Sequence, residues 1–376
     1  MPQTSDPRYV LAINAGSSSV KFALFQVGEP PTEVLRDKIE HVGSPQEMIG
    51  LLEAKLPTRD FAAVAHRLVH GGAEHTTPAV VTPDLLRALK QLEPLDPTHL
   101  PAELALLGAF GERWPHTTQV ACFDTAFHRD IPAVARTLPI PRPYLARGVR
   151  KYGFHGISYE FLLEELTHVA GAEAARGRVI LAHLGSGSSL AAVRNGTCID
   201  TTMGFTPTGG LVMGTRTGDL DPGVLIHLLR SEGLSADRLD RLVNKESGLL
   251  GMSETSADVR ELQAHASTDP RAADALAVYC YQARKFIGAL AAALGGLDTL
   301  VFAGGIGENA PDIRARICDG LEFIGVRIAG ERNSADAAVI SAAGAPVAVR
   351  VIRTNEEAML ARSAVRLLAG RPPAPQ

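Results

Sequence analysis

Tryptophan occurs once in 376 residues, and cysteine four times. Cys122, Cys198, Cys280 and Cys318 are scattered without metal-site spacing, so buried free thiols in a reducing compartment are expected. Long apolar runs are also missing. The longest, residues 286–297, is too short to span a bilayer and contains Gly288, Gly295 and Gly296, so it reads as a buried helix. The opening stretch MPQTSDPR has no basic segment leading into an apolar one, which argues against a secretory signal. A net charge of −4 gives no general attraction to nucleic acid or an anionic membrane surface, so any phosphate must be met by a local basic cluster. No G-x-x-x-x-G-K-[ST] stretch exists, which excludes a P-loop. The expectation is a cytoplasmic globular protein with neither a nucleic-acid nor a membrane partner.

The length allows two domains of ordinary size, and 45% hydrophobic with 21% charged residues is enough for a proper core. The chain is organised around residues 9–25, YVLAINAGSSSVKFALF. An apolar run enters a polar corner at Asn14 and Gly16 and leaves as Val20, Phe22 and Leu24, alternating with Lys21 and Ala23. This is a strand, a tight turn and a second strand. Gly16 lets a ligand approach the backbone, Ser17 and its neighbours offer hydroxyl and N–H groups to phosphate oxygens, and Lys21 adds positive charge. An ordinary surface hairpin would read the same way. Residues 178–193, RVILAHLGSGSSLAAV, partly repeat the pattern, with Gly185 opposite Gly16 and Ser186, Gly187 and Ser188 opposite the serines. Two such hairpins suggest duplicated halves, and resemble the phosphate grips of the sugar kinase, actin and heat-shock ATPase superfamily.

Other stretches carry chemistry. FAAVAHRLV runs into His70-Gly71-Gly72, with His66 and Arg67 near the strand end; Arg67 is ordinarily an ion-pair partner, but the glycines favour a ligand close by. A strand at 118–123 ends in Asp124, either a helix N-cap or a carboxylate at the strand edge where open α/β sheets place their sites. KYGFHG sets His155 between glycines and an aromatic residue, as a core histidine or a functional one. The Gly/Pro-rich run 203–221 reads as a long ordered loop presenting Arg216, a planar donor suited to a carboxylate or phosphoryl group or to a structural ion pair. A strand at 300–303 leads into GGIGEN, with a helix expected near Pro311, a junction suited to a nucleotide. Gly305-x-Gly307-x-x-Ala310 also fits the loose dinucleotide fingerprint, but it lacks the adjoining βαβ half of a Rossmann domain. An ATP-using enzyme is therefore preferred to a dehydrogenase.

INAGSSSVKF, HRLVHGG, FDTAFH, VRKYGFHG, MGFTP, MGTRTGDLDP, NKESGLLG, GGIGEN and TNEE follow one another in order, and together they resemble the acetate/propionate/butyrate kinase family from about Val10 to Leu360. The resemblance implies α/β architecture: two duplicated ribonuclease H-like (actin-like ATPase) domains with mixed five-stranded sheets and a nucleotide cleft between them. It places 1–125 plus 356–376 in an N-terminal lobe for acid, phosphoryl group and metal, and 126–355 in a C-terminal lobe for nucleotide binding and dimerisation. The implied reaction is reversible transfer of the ATP γ-phosphoryl group to acetate, giving acetyl phosphate and ADP, with Mg²⁺ or Mn²⁺, in a homodimer. By the same resemblance Asn14 and Glu357 help hold the metal, and Ser17 and Lys21 face the transferring phosphate. Arg67 and Arg216 hold acid and phosphoryl group, His155 donates to an equatorial oxygen, and Asp124 is the catalytic carboxylate. His183, Leu184, Gly185, Ser186 and Gly187, with Asp258, Val259 and Arg260, and Gly305, Ile306, Gly307, Glu308 and Asn309, carry the nucleotide. Val69, Thr98, Phe154 and Pro207 match the pocket for the acid's methyl group.

The chain departs from the family pattern at four places. Thr98 stands for a leucine of the acid pocket, Leu100 for an asparagine, Ser186 for an asparagine and Glu254 for a glycine. These bear on acid selectivity and nucleotide affinity. A propionate or butyrate kinase is the near alternative, and an actin-like nucleotide switch the distant one, since a switch has no need of Arg67, Arg216 and His155 around a small acid.

Overall fold

The structure is a computed structural model that describes residues 9–16, 19–40 and 43–370. Ser17 lies outside the described residues. The chain divides into two compact units, one of residues 1–129, 154–161 and 355–376, the other of 130–153 and 162–354.

The first unit is built on six strands: β1 (Tyr9–Ala15), β2 (Ser19–Gln26), β3 (Thr32–Glu40), β4 (Phe61–Leu68), β5 (Ala79–Val80) and β6 (Thr118–Phe123), in the order β3-β2-β1-β4-β6-β5. β1, β4 and β6 run parallel, while β2 and β3 fold back antiparallel. The sheet is thus a five-stranded mixed one plus the two-residue β5, which pairs antiparallel with β6 at the edge. β1 is buried over nearly its whole length because both faces of the sheet are covered. On one face Leu11, Ile13, Phe22 and Leu24 pack with Met48, Ile49 and Leu52 of the helix Pro45–Lys55 and with Leu106 and Phe110 of the helix Leu100–Arg113. The opposite face carries Val10, Ala12, Ala63 and Ala65, whose small side chains let the helix Glu356–Leu368 lie close against β1, β2 and β4.

The second unit holds β7 (Arg178–Leu184), β8 (Ser188–Arg194), β9 (Thr197–Thr201), β10 (Thr299–Ala303) and β11 (Ala348–Val351), ordered β11-β10-β7-β8-β9. Again an antiparallel meander (β7, β8, β9) is extended by two parallel strands on the side of the first strand. This reproduces the five-strand plan of the first sheet, so the duplication glimpsed in two Gly/Ser corners extends to whole sheets. The long helix Pro270–Leu294, capped by Asp269 at its start and by Gly295 at φ 75° at its end, packs against β7, β8 and β9. One difference from expectation lies after β10. The chain does not wait until Pro311 to become helical: Gly304 turns at φ 77° and GGIGEN is itself the helix Gly304–Asn309, followed by a second helix, Pro311–Cys318.

Candidate active site

Neighbours in a strand point to opposite faces, and this sorts His66 from Arg67. His66 stacks edge-on against Phe110 in the core, where burial pushes its pKa down to about 3. Arg67 emerges on the other face, beside Asn14 at the carboxyl end of β1 and Asp124 just past the end of β6. Three polar groups thus sit at the carboxyl ends of three adjacent parallel strands, where open α/β sheets accept ligands.

Arg67 is tightly held. Its Nε and Nη2 donate to the same Asp124 oxygen at 3.0 and 2.6 Å, and Nη1 donates to the Ala15 carbonyl at 3.1 Å and to Glu103 Oε1 at 3.3 Å. Burial works against its charge, yet Asp124, Glu103 and Glu356 together keep its pKa above the ordinary arginine range. Asp124 is buried, and burial raises its pKa; Arg67 opposes the shift, the charge of Glu356 adds to it and the His155 N–H opposes it.

The turn that follows Phe154 is fastened to the same carboxylate residue. Gly156 N–H donates to the Asp124 carbonyl at 2.9 Å, and a side chain at Gly156 would collide with that carbonyl. His155, at φ 59°, is held in the left-handed region, a strained backbone of the kind that accompanies ligand sites. Of the expected acid pocket, Val69 and Phe154 are buried and Thr98 is exposed. Val69 N–H donates to Glu103 Oε2 at 2.8 Å, and the Phe154 ring lies edge-on to His70. Lys21 is exposed and pairs across the sheet with Asn14, so both project from one face.

Asn14 faces the start of the helix Glu356–Leu368. Both its amide hydrogens are used, on Glu356 at 2.7 Å and on Glu357 Oε1 at 2.9 Å, while its Oδ1 has no protein partner among the described residues. The second Glu357 oxygen accepts from Arg36 of β3 at 2.6 Å, and Arg36 also reaches Asn355, the N-cap of that helix. Among the described residues no cluster of three or more His, Cys, Asp or Glu side chains could hold a metal by itself. The donors do fit a Mg²⁺ that keeps several waters and arrives on phosphates, needing only one or two protein oxygens. Arg36, Glu103 and Glu356 contact these candidate residues, which the sequence reading did not anticipate. A charged edge strand and acids in a first helical turn look alike whether or not they serve a site.

In the second unit the expected nucleotide residues from three stretches are neighbours. The corner after β7 closes with Gly185 N–H on the Gly187 carbonyl at 3.0 Å, and Ser188 Oγ lies 3.0 Å from the Tyr279 hydroxyl. A Cβ at Gly185 would touch Gly305 N, so the corner abuts the start of the helix Gly304–Asn309. His183 pairs with Ala303 across the sheet, Leu184 is buried, and Ile306 packs against the core. Glu308 accepts from Gly304 and Thr354 N–H groups at 2.9 and 3.0 Å, and Asn309 donates to the Gly305 carbonyl. Ser186 accepts from Gly214, beside Ala257, which leads into Asp258. Asp258 caps the helix Val259–His265 and pairs with the exposed Arg260, while Val259 is buried. Arg216, in the loop before the helix Pro222–Ser231, donates to the Pro207 carbonyl at 3.0 Å.

Two units of one strand plan, each with polar groups or a glycine turn at the carboxyl ends of its parallel strands, define a protein of the duplicated actin-like ATPase fold. The acetokinase family model matches residues 46–362. An acetate kinase of Methylocella silvestris is 41% identical over 400 aligned positions, covering 96% of this chain and 98% of the relative. Among solved structures, Porphyromonas gingivalis acetate kinase superposes with a TM-score of 0.87 at 35% identity, covering 96% of this chain and 99% of its own. A propionate kinase of Francisella tularensis gives 0.89 at 33%, covering 94% and 98%. The chain belongs to the acetokinase family.

Proposed function

We infer that the protein transfers the γ-phosphoryl group of ATP to acetate, reversibly, forming acetyl phosphate and ADP. The observation that carries this reading is Arg67, a guanidinium aimed by Asp124 from the sheet edge beside an Asn14–Glu356–Glu357 cluster. It offers a cation for a small carboxylate next to hard oxygens for a metal that travels with phosphate.

Acetate is ionised near neutral pH, so it needs no base. One of its oxygens bonds to Pγ while the bond from Pγ to the β,γ-bridging oxygen breaks, and ADP leaves with that electron pair. The barrier lies in bringing anions together and supporting charge on the moving phosphoryl group. Arg67 orients the acid, and Lys21, Arg216 and His155 counter the developing charge. Asp124 gives one oxygen to two Arg67 N–H groups, so its role is to aim the guanidinium rather than to take a proton. Asn14 and Glu357 would hold a Mg²⁺ or Mn²⁺ ion, which when bound would neutralise charge on the phosphates.

In this reading Val69, Thr98, Phe154 and Pro207 meet the acid's methyl group, and Asn14 and Glu357 serve the metal. The second unit carries the nucleotide at 183–187, 258–260 and 305–309. The four buried free cysteines support a reducing, cytoplasmic setting, and family resemblance supports a homodimer. Thr98 gives the acid pocket a smaller wall than leucine would, which makes propionate the second acid to try. The test is acetate-dependent ADP formation from metal–ATP, with the acyl phosphate trapped as its hydroxamate. Acetate, propionate and butyrate are compared by kcat/KM. ADP formation that ignores all three acids would overturn the reading.

A further inference from the structure

Arg67 has five N–H groups, and four already have acceptors: two on Asp124, one on Ala15 and one on Glu103. Only one, on Nη2, has no protein acceptor among the described residues. A carboxylate gripped in bidentate fashion needs a second. The longest of the four existing bonds is the 3.3 Å contact from Nη1 to Glu103.

Glu103 lies in the first turn of the helix Leu100–Arg113, with its side chain 4% exposed. Its other oxygen accepts from Val69 N–H at 2.8 Å, tying the residue to the backbone just past β4. The charged groups facing it are Arg67 from β4, Asp124 from beyond β6, and Asp96, itself held by His99, from the segment before its own helix. With all carboxyl groups ionised, Arg67 faces Asp124, Glu103 and Glu356. An arriving acid anion adds another negative charge.

We propose that Glu103 is the positioning residue for Arg67, and that binding of the acid anion at Arg67 is coupled to protonation of Glu103, which releases Nη1 for the substrate. This rests on the reading of Arg67 as the acid's anchor. Glu103 is suited to accept the proton: burial, with Asp124 and Asp96 adding to it, pushes its pKa up to about 8 against the pull of Arg67 and the Val69 N–H. Anion binding is therefore strongest with Glu103 neutral and weakens as pH rises through that value. Acetate itself stays ionised over the whole range.

The test measures KM for acetate and for metal–ATP from pH 6.5 to 9 in the wild-type enzyme and in Glu103→Gln, which keeps the shape without the titration. In the wild type the acetate KM is expected to rise up to about tenfold between pH 7 and 9, while the ATP KM does not follow. In Glu103→Gln the acetate KM stays level. A pH dependence that survives in Glu103→Gln, a level wild-type profile, or a parallel rise in both KM values overturns the inference. Should the variant not fold, acetate binding to the wild type is followed by calorimetry at pH 8 in two buffers of different ionisation enthalpy. Uptake of about half a proton is expected there, and none would overturn the coupling. Wild-type hydroxamate formation at pH 7 separates the cases. If it fails, the acetate reading fails; if it proceeds with a level pH profile, only the role of Glu103 falls.

Discussion

Arg67 and His66 are adjacent in β4, yet their charges matter for different reasons. Arg67→Ala removes the guanidinium proposed to anchor the acid and leaves Asp124 buried without its cation. Turnover should fall on the order of a hundredfold or more, measured as kcat/KM for acetate. His66 is a matter of stability. Neutral in the folded protein, it accepts a proton readily once unfolded, so its contribution is complete above about pH 6.5 and is lost as pH falls towards about 3. Unfolding free energy should decline by up to about 1.4 kcal/mol per pH unit in that window, and His66→Gln should lessen the slope in urea titrations. Asn14 was legible as a candidate because it ends a strand beside Gly16, Arg67 because its strand runs into Gly71 and Gly72, Asp124 because it is a carboxylate at a strand's carboxyl end, and His155 because glycines and an aromatic residue surround it. Glu103 was not: an acid in a first helical turn is the commonest place for one, and only the fold brings Val69 N–H and Arg67 onto it.

At the scale of elements, the helix Glu356–Leu368 is anchored by a side chain from a strand distant in sequence. Arg36 bridges Glu357 and Asn355, and Arg36→Ala leaves a buried carboxylate with Asn14 as its remaining side-chain partner. The expected loss is about 1–2 kcal/mol in denaturant unfolding, reduced from the buried-pair range because Arg36 is partly exposed. Glu254 shows the reverse case. It ends the helix Gly248–Ser253 at φ 57°, where glycine is the unstrained choice, and its ion pair with Arg271 is exposed on both sides. Glu254→Gly should therefore stabilise the fold by about 0.5–1 kcal/mol, the relief of strain exceeding both the surface pair and glycine's extra chain entropy. The hairpin strands could be read from their alternation. β3 could not, because TEVLRDKIE is a largely exposed strand whose charges hide its period. The helix was expected near Pro311 rather than at Gly304 because two leading glycines disfavour helix unless a turn such as that at Gly304 demands one.

For the molecule as a whole, duplication was visible only as two corners, because the second sheet keeps the strand order but little of the sequence. The first sheet is covered on one face by a helix drawn from residues 356–368, after the whole second unit has been traversed. On a ribosome, β1 to β6 therefore emerge hundreds of residues before that covering helix. Val10, Ala12, Ala63 and Ala65 must wait in water or under a chaperone, while the second unit, with its own strands and long helix, gathers first. Assembly of this chain should accordingly run from its middle outwards, and a translation stop just short of Asn355 should yield one finished half and one half still open to aggregation.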